Sequence, residues 1–198
     1  MGTAHIDFNS VHEQFRPRVL RYVTRLVGEA DAEDVTQSVM LKVSAGLSGF
    51  RGESKLSTWI YRIATNSATD KMRGRSIRTI SDDELESGVG DVPPTARIAS
   101  VETAAIRAEM SACIAEFVTR LPENYRAVMV LGELEGFKND EIADILGLSL
   151  DAVKIRLHRA REKLRKELES GCAFYRDECN ELACERKPVT PVTLRPRR

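Results

Sequence analysis

Apolar residues along this chain recur at the three- and four-residue spacings of amphipathic helices, and nowhere do they alternate convincingly with period two. Val11, Phe15, Val19, Tyr22, Val23 and Leu26 form one stripe, in a helix from about Asn9 that Pro17 should kink or else truly begin. A second helix is expected from about Asp31: Asp31, Glu33 and Asp34 put acids in its first turn, which the helix dipole favours. Val35, Val39 and Val43, with Leu47 beyond, continue its buried side. After the glycine-bearing loop Ser48 to Ser54, Ser54 or Ser57 can cap a third helix running through Trp59, Ile60, Ile63 and Ala64 to about Arg73.

The pattern breaks at residues 79–100. Asp82, Asp83, Glu84, Glu86 and Asp91 crowd together with Gly88, Gly90 and the pair Pro93-Pro94, and large apolar groups thin out. That composition reads as an extended linker that lets its flanks move relative to each other. A second helical domain is expected from Val101 to Glu169, with Pro122 favourably placed in the first turn of a helix. Its densest signal is NDEIADILGLSLDAVKIRLHRAREKLR, Asn139 to Arg165. Ile142, Ala143, Ile145 and Leu146 stripe a short helix, Gly147 closes it, and Ser149 is placed to cap the next. In that next helix Val153, Leu157, Ala160 and Leu164 face inward, while Lys154, Arg156, Arg159, Arg161, Lys163, Arg165 and Lys166 crowd the other faces. A helix-turn-helix sets such a second helix in the DNA major groove, early residues on base edges and flanking cations on phosphates. The fold class is therefore all-α: two small helical domains joined by a flexible linker, the second containing a helix-turn-helix.

Composition narrows the function. Thirty basic residues balance thirty acidic ones in 198, so affinity for nucleic acid must come from local patches. A second patch, Arg62, Lys71, Arg73, Arg75 and Arg78, ends the first domain near Phe50, Trp59 and Tyr61. Cations beside aromatic platforms suit an unpaired strand; the same residues also fit a packed aromatic core with a solvated helix end. Catalysis finds no support, because His5, His12 and His158 are scattered and Gly46, Gly49 and Gly52 lack the strand-to-helix setting of a phosphate loop. The N-terminal residues lack the basic and apolar regions of a secretory signal, and no apolar run is long enough to insert in a membrane, so a cytoplasmic protein is expected.

The stretches ADAEDVTQSVMLKV, FRGESKLSTWIYRIATNSATDKMRGR and LPENYRAVMVLGELEGFKNDEIADILGLSLDAVKIRLHRAREKLR together resemble regions two and four of the extracytoplasmic-function (ECF) sigma factors. The resemblance covers about Phe8 to Leu168 and implies region two at residues 8–78 and region four at 101–169. It implies that Asp31, Glu33, Asp34, Gln37 and Met40 dock on core RNA polymerase. It places Phe50, Ile63 and Asn66 around a base flipped from the minus-ten element, with Arg62, Lys71, Arg73 and Arg75 on the strand backbone. A ready pocket helps to melt the duplex, since extruding a base costs a few kcal/mol. Lys154, Ile155, Arg156, His158, Arg159 and Arg161 would face the minus-thirty-five element, Ile155 offering a surface to a thymine methyl. The implied function is promoter-specific initiation without bond chemistry of its own, with promoter DNA and core RNA polymerase as partners. An anti-sigma factor, or the chain's own tail, would restrain it.

The tail, residues 170–198, lies outside that resemblance. Cys172, Cys179 and Cys184 are spaced too widely for a C-x-x-C knuckle, yet their thiolates can hold a soft metal with Cys113 or an acid as fourth ligand. The other reading is a helix from about Phe174 to Glu185 packed on region four, its cysteines acting as small hydrophobes and no cofactor required. Two rival functions follow: a stand-alone helix-turn-helix regulator, and a metal or thiol sensor.

Overall fold

The computed structural model describes residues 7–75, 114, 116–176, 180 and 182–187. The linker, residues 101–113 with Cys113, and Cys179 lie outside them.

The N-terminal unit is three helices. Helix α1, Phe8–Val27, begins where the Asp7 carboxylate accepts from the Ser10 backbone N–H at 3.0 Å, so Pro17 sits inside the helix and does not begin it. One residue, Gly28 at φ 86°, turns the chain into α2, Glu29–Gly46. A positive φ there is strained for any side chain, which suits glycine to a one-residue corner. A 3-10 turn at Leu47–Gly49 and an irregular loop lead to α3, Leu56–Arg75. The α1 stripe read from sequence is buried throughout, against Val35, Val39 and Val43 of α2 and Ile60, Tyr61 and Ala64 of α3. Thr65 Oγ1 donates to the Tyr61 carbonyl, so its one proton is spent and the buried Tyr22 hydroxyl is the donor in the 2.8 Å bond to Thr65. Burial pushes the Tyr22 hydroxyl well above the ordinary tyrosine range.

The C-terminal unit begins with helical residues 116–120 and continues through α4, Glu123–Met129, into a π-helical turn, Val130–Leu134. Then come α5, Asn139–Leu146, and α6, Leu150–Gly171. Gly147 is left-handed at φ 65°, and Ser149 Oγ accepts from the Ala152 N–H at 3.2 Å. Glu141 reaches back to the Lys138 N–H at 2.9 Å, closing half a capping box at the start of α5. Ile142, Ile145, Val153, Leu157 and Ala160 are buried between the two helices and α4, the inward positions read from sequence, with Leu164 half-buried.

The tail departs from the expected helix. Strands β1, Cys172–Arg176, and β2, Leu182–Arg186, form an antiparallel hairpin with Phe174 opposite Cys184. Tertiary contacts explain it: Arg186 pairs with Glu116 and lies over the Phe117 ring, whose edge fills the space beside Gly171. Lys187 donates its backbone N–H to the Gly171 carbonyl at 2.9 Å and its ammonium to the Glu169 carbonyl at 2.5 Å, satisfying acceptors at the end of α6.

The two units pack together through α3 and α5, with α1 touching α4. Arg126 of α4 donates to the Leu26 carbonyl at 2.9 Å, so a cation meets the last turn of α1, and Arg25 approaches Glu135 at 3.4 Å.

Candidate nucleic-acid interface

Positions four and eleven apart fall close to one line along a helix, so Arg62, Asn66 and Arg73 share a stripe of α3, and all three are exposed. Ile63 is half-buried beside them, and Phe50 packs its ring on Trp59 with centroids 5.3 Å apart. Trp59 is half-buried while Tyr61 is fully buried, so of the aromatic platforms read from sequence Tyr61 is core. Arg62 donates its Nε–H to the Asp144 carbonyl of α5 at 2.8 Å, and Lys71 pairs with Asp31 of α2 at 3.2 Å. Arg75 is the last residue of α3.

On α2, Glu33, Asp34 and Gln37 are exposed, Glu33 pairing with Arg16 at 2.8 Å; Asp31 is half-buried. Met40 must be moved: it is 5% exposed, on the side of α2 that packs with Thr36, Val39 and Val43. Leu41, 65% exposed, is the large apolar residue that α2 presents outward, and sequence reasoning missed it. Its signal was an apolar residue off the stripe.

On α6 the wheel puts Ile155, His158 and Arg159 opposite the buried line of Val153, Leu157 and Ala160, with exposed Lys154 on one flank and Arg156 on the other. Arg161 stands apart, two turns beyond Lys154, donating through Nε and a terminal nitrogen to Glu133 at 3.0 and 2.7 Å. That pair, with Arg165–Glu169, rims an apolar groove of about 470 Å³ lined by Val118, Met129, Leu134, Leu164, Leu168 and Phe174, which sequence reasoning also missed.

Among the described residues no three potential ligands gather to hold a metal; Cys172 is buried and Cys184 half-buried on the hairpin. No described helix is long and apolar enough to cross a membrane.

Residues 11–77 match the family model for sigma-70 region 2, and residues 111–164 the model for sigma-70 region 4. The ECF RNA polymerase sigma factor SigW of Bacillus subtilis is 31% identical over 165 residues, which span 81% of this chain and 88% of that protein. The chain belongs to the ECF sigma factor family. Its α1–α3 unit is therefore region two and its helix-turn-helix unit region four. The same fold occurs in CnrH, solved with the cytosolic domain of CnrY, at 25% identity and TM-score 0.58 over 82% of this sigma factor and 88% of CnrH. It occurs again in the sigma factor RpoE solved with the anti-sigma factor NepR from Bartonella quintana, at 22% identity and TM-score 0.60 over 82% and 97% of the two chains.

Proposed function

We propose that this alternative sigma factor directs promoter-specific initiation through two separate surfaces. Asn66, Ile63 and Phe50 of region two take a base flipped from the minus-ten element, and Arg62, Lys71, Arg73 and Arg75 follow that strand's phosphates. Lys154, Ile155, Arg156, His158 and Arg159 of region four meet the minus-thirty-five duplex, with Arg161 on its edge. Asp31, Glu33, Asp34 and Gln37 form the acidic face for core RNA polymerase, with Leu41 in place of Met40 as its apolar contact. The observation carrying this reading is a capped helix-turn-helix with half-buried Ile155, His158 and Arg159 on the side opposite its buried line, in one chain with the exposed Arg62–Asn66–Arg73 stripe.

The protein performs no catalysis, acts in the cytoplasm and needs no cofactor; polymerase does the bond chemistry. An anti-sigma factor is the expected restraint, supported by RpoE, solved with one. The apolar groove on region four is a surface such a protein partner can fill.

Run-off transcription with bacterial core polymerase, on promoters upstream of the protein's own operon, tests the reading. Arg159→Ala should weaken promoter use by roughly tenfold to a hundredfold, the equivalent of about 1–3 kcal/mol at a base-reading arginine. Asn66→Ala should impair strand opening while sparing duplex binding. No transcript, with tight duplex binding by the protein alone, would favour a stand-alone regulator.

A further inference from the structure

Resting on that reading, the contacts between the two regions point to a regulatory device in the chain itself. Glu135, in the turn before α5, has a side chain only 6% exposed. A carboxylate buried to that degree needs partners, and both come from region two: the Tyr61 hydroxyl donates to it at 2.5 Å and the Arg25 guanidinium approaches at 3.4 Å. The Tyr61 ring meets Phe137 edge-on, centroids 4.7 Å apart. Beyond this buried centre Lys55 pairs with Glu141 at 2.7 Å, Arg62 donates to the Asp144 carbonyl, and Arg126 donates to the Leu26 carbonyl. Glu135, Phe137, Glu141 and Asp144 follow one another along the turn and α5, so one edge of region four carries most of the docking.

We propose that these residues are an interdomain latch, centred on Glu135 and Tyr61, that holds region four against the Arg62 end of the promoter-strand stripe of α3 in the free sigma factor, with Asn66 and Arg73 left exposed. The exclusion is geometric. While Arg62 Nε lies 2.8 Å from a backbone carbonyl of α5, no DNA strand can pass between them. Among the described residues α6 is not one of the elements that pack closely against region two. The closed form therefore withholds minus-ten binding more than minus-thirty-five binding, and a competent complex requires Glu135 to give up Tyr61.

The full-length protein tests this directly. Small-angle X-ray scattering gives the dimensions of wild type, Tyr61→Phe, Glu135→Gln, Lys55→Glu, Glu141→Lys and the double exchange. Anisotropy of a fluorescein-labelled single DNA strand of mixed sequence gives strand affinity, and circular dichroism confirms that each variant folds. Tyr61→Phe keeps the ring and loses only the hydroxyl. It and Glu135→Gln should raise the open population and the strand affinity together by about threefold to tenfold, the effect of one hydrogen bond on a closed-dominant equilibrium. Lys55→Glu and Glu141→Lys should each expand the protein slightly, and the exchanged pair should recover wild-type dimensions. The latch is overturned if wild type is already extended, if the folded Tyr61 and Glu135 variants stay as compact as wild type, or if they open without binding the strand more tightly. Neither readout involves polymerase, so a failed latch leaves the transcription assay standing, and failed transcription leaves the latch standing.

Discussion

Regions two and four engage their cations at different distances, region two across to other elements and region four close to home. In region two the cations read as strand contacts are partly engaged within the protein: Lys71 holds Asp31 and Arg62 holds a carbonyl of region four. In region four the corresponding positions lie on the side of α6 away from its buried line, and the pairs they make stay inside the region: Lys154 lies 4.0 Å from Asp151 of its own helix, and Arg161 is turned onto Glu133. A duplex groove is always available to be read, so a recognition helix can stand ready. An unpaired strand exists only once the duplex opens, and cations waiting for it settle on internal partners meanwhile. The contrast teaches that a basic residue's place in the motif does not reveal whether its charge is already spent.

The largest way to break this comparison is to unfold one region and ask whether the other notices. Ile142 is fully buried where α5 meets α6 and the π-helical turn. Ile142→Ala should cost about 2–5 kcal/mol of region-four stability. If the contacts between regions couple their folding, calorimetry will show one lowered transition. Should the regions melt independently, an early region-four transition will separate from an unchanged region-two transition.

A smaller perturbation addresses the tail. A Cβ at Gly171 would stand 2.6 Å from the Phe117 ring, so Gly171→Ala must displace that ring and the hairpin leaning on it. The expected cost is about 1–3 kcal/mol, the usual range for overpacking. Faster amide exchange in β1 and β2, with α5 and α6 protected as before, would place the damage at the hairpin. Smaller again is Ser149→Ala, which removes the side-chain acceptor for the Ala152 N–H. It should cost about 1 kcal/mol and fray the first turn of α6. Minus-thirty-five binding should weaken while strand binding by region two is unchanged.

What the sequence made legible follows from how local each signal is. The helix-turn-helix is specified within a few residues, by Gly147, Ser149 and two interlocking stripes, and it stands as read. The α1 stripe was equally plain, and the start read at about Asn9 lies next to the observed Phe8; of the two roles open to Pro17, beginning the helix is the one that fails. The hairpin was not legible: β1 buries Cys172 and exposes the next four residues, so no alternation marks it. Its support comes from Glu116 and Phe117, more than fifty residues upstream. Met40 lies at the edge of the α2 stripe, where a one-position judgement moves a side chain from surface to core. The latch was hidden for a related reason: Lys55, Glu135 and Glu141 look in sequence like any solvated charges, and only their pairing across regions gives them a role.

The smallest effect separates the two regions by pH. The Lys55 ammonium donating to Glu141, helped by the Lys138 backbone N–H, holds the Glu141 carboxyl below the ordinary glutamate range, against a weaker opposing effect of burial. Hydrogen bonds from Arg186 and then Arg120 do the same to Glu116. A carboxyl whose folded value is depressed contributes stability that is fully present above its unfolded value, about 4.3 for glutamate. That contribution is lost as the pH falls through the lower folded value. Both contacts should therefore be intact at neutral pH and fail in acid, with different consequences. Protonating Glu141 loosens region four from region two, whereas protonating Glu116 loosens the hairpin from region four alone. Scattering between neutral pH and about pH 4 should show a modest expansion that Glu141→Gln largely removes and Glu116→Gln leaves in place. Amide exchange in β1 should show the reverse dependence on the two substitutions. An expansion unaffected by Glu141→Gln would mean that acid opens the protein through contacts other than the Lys55–Glu141 pair.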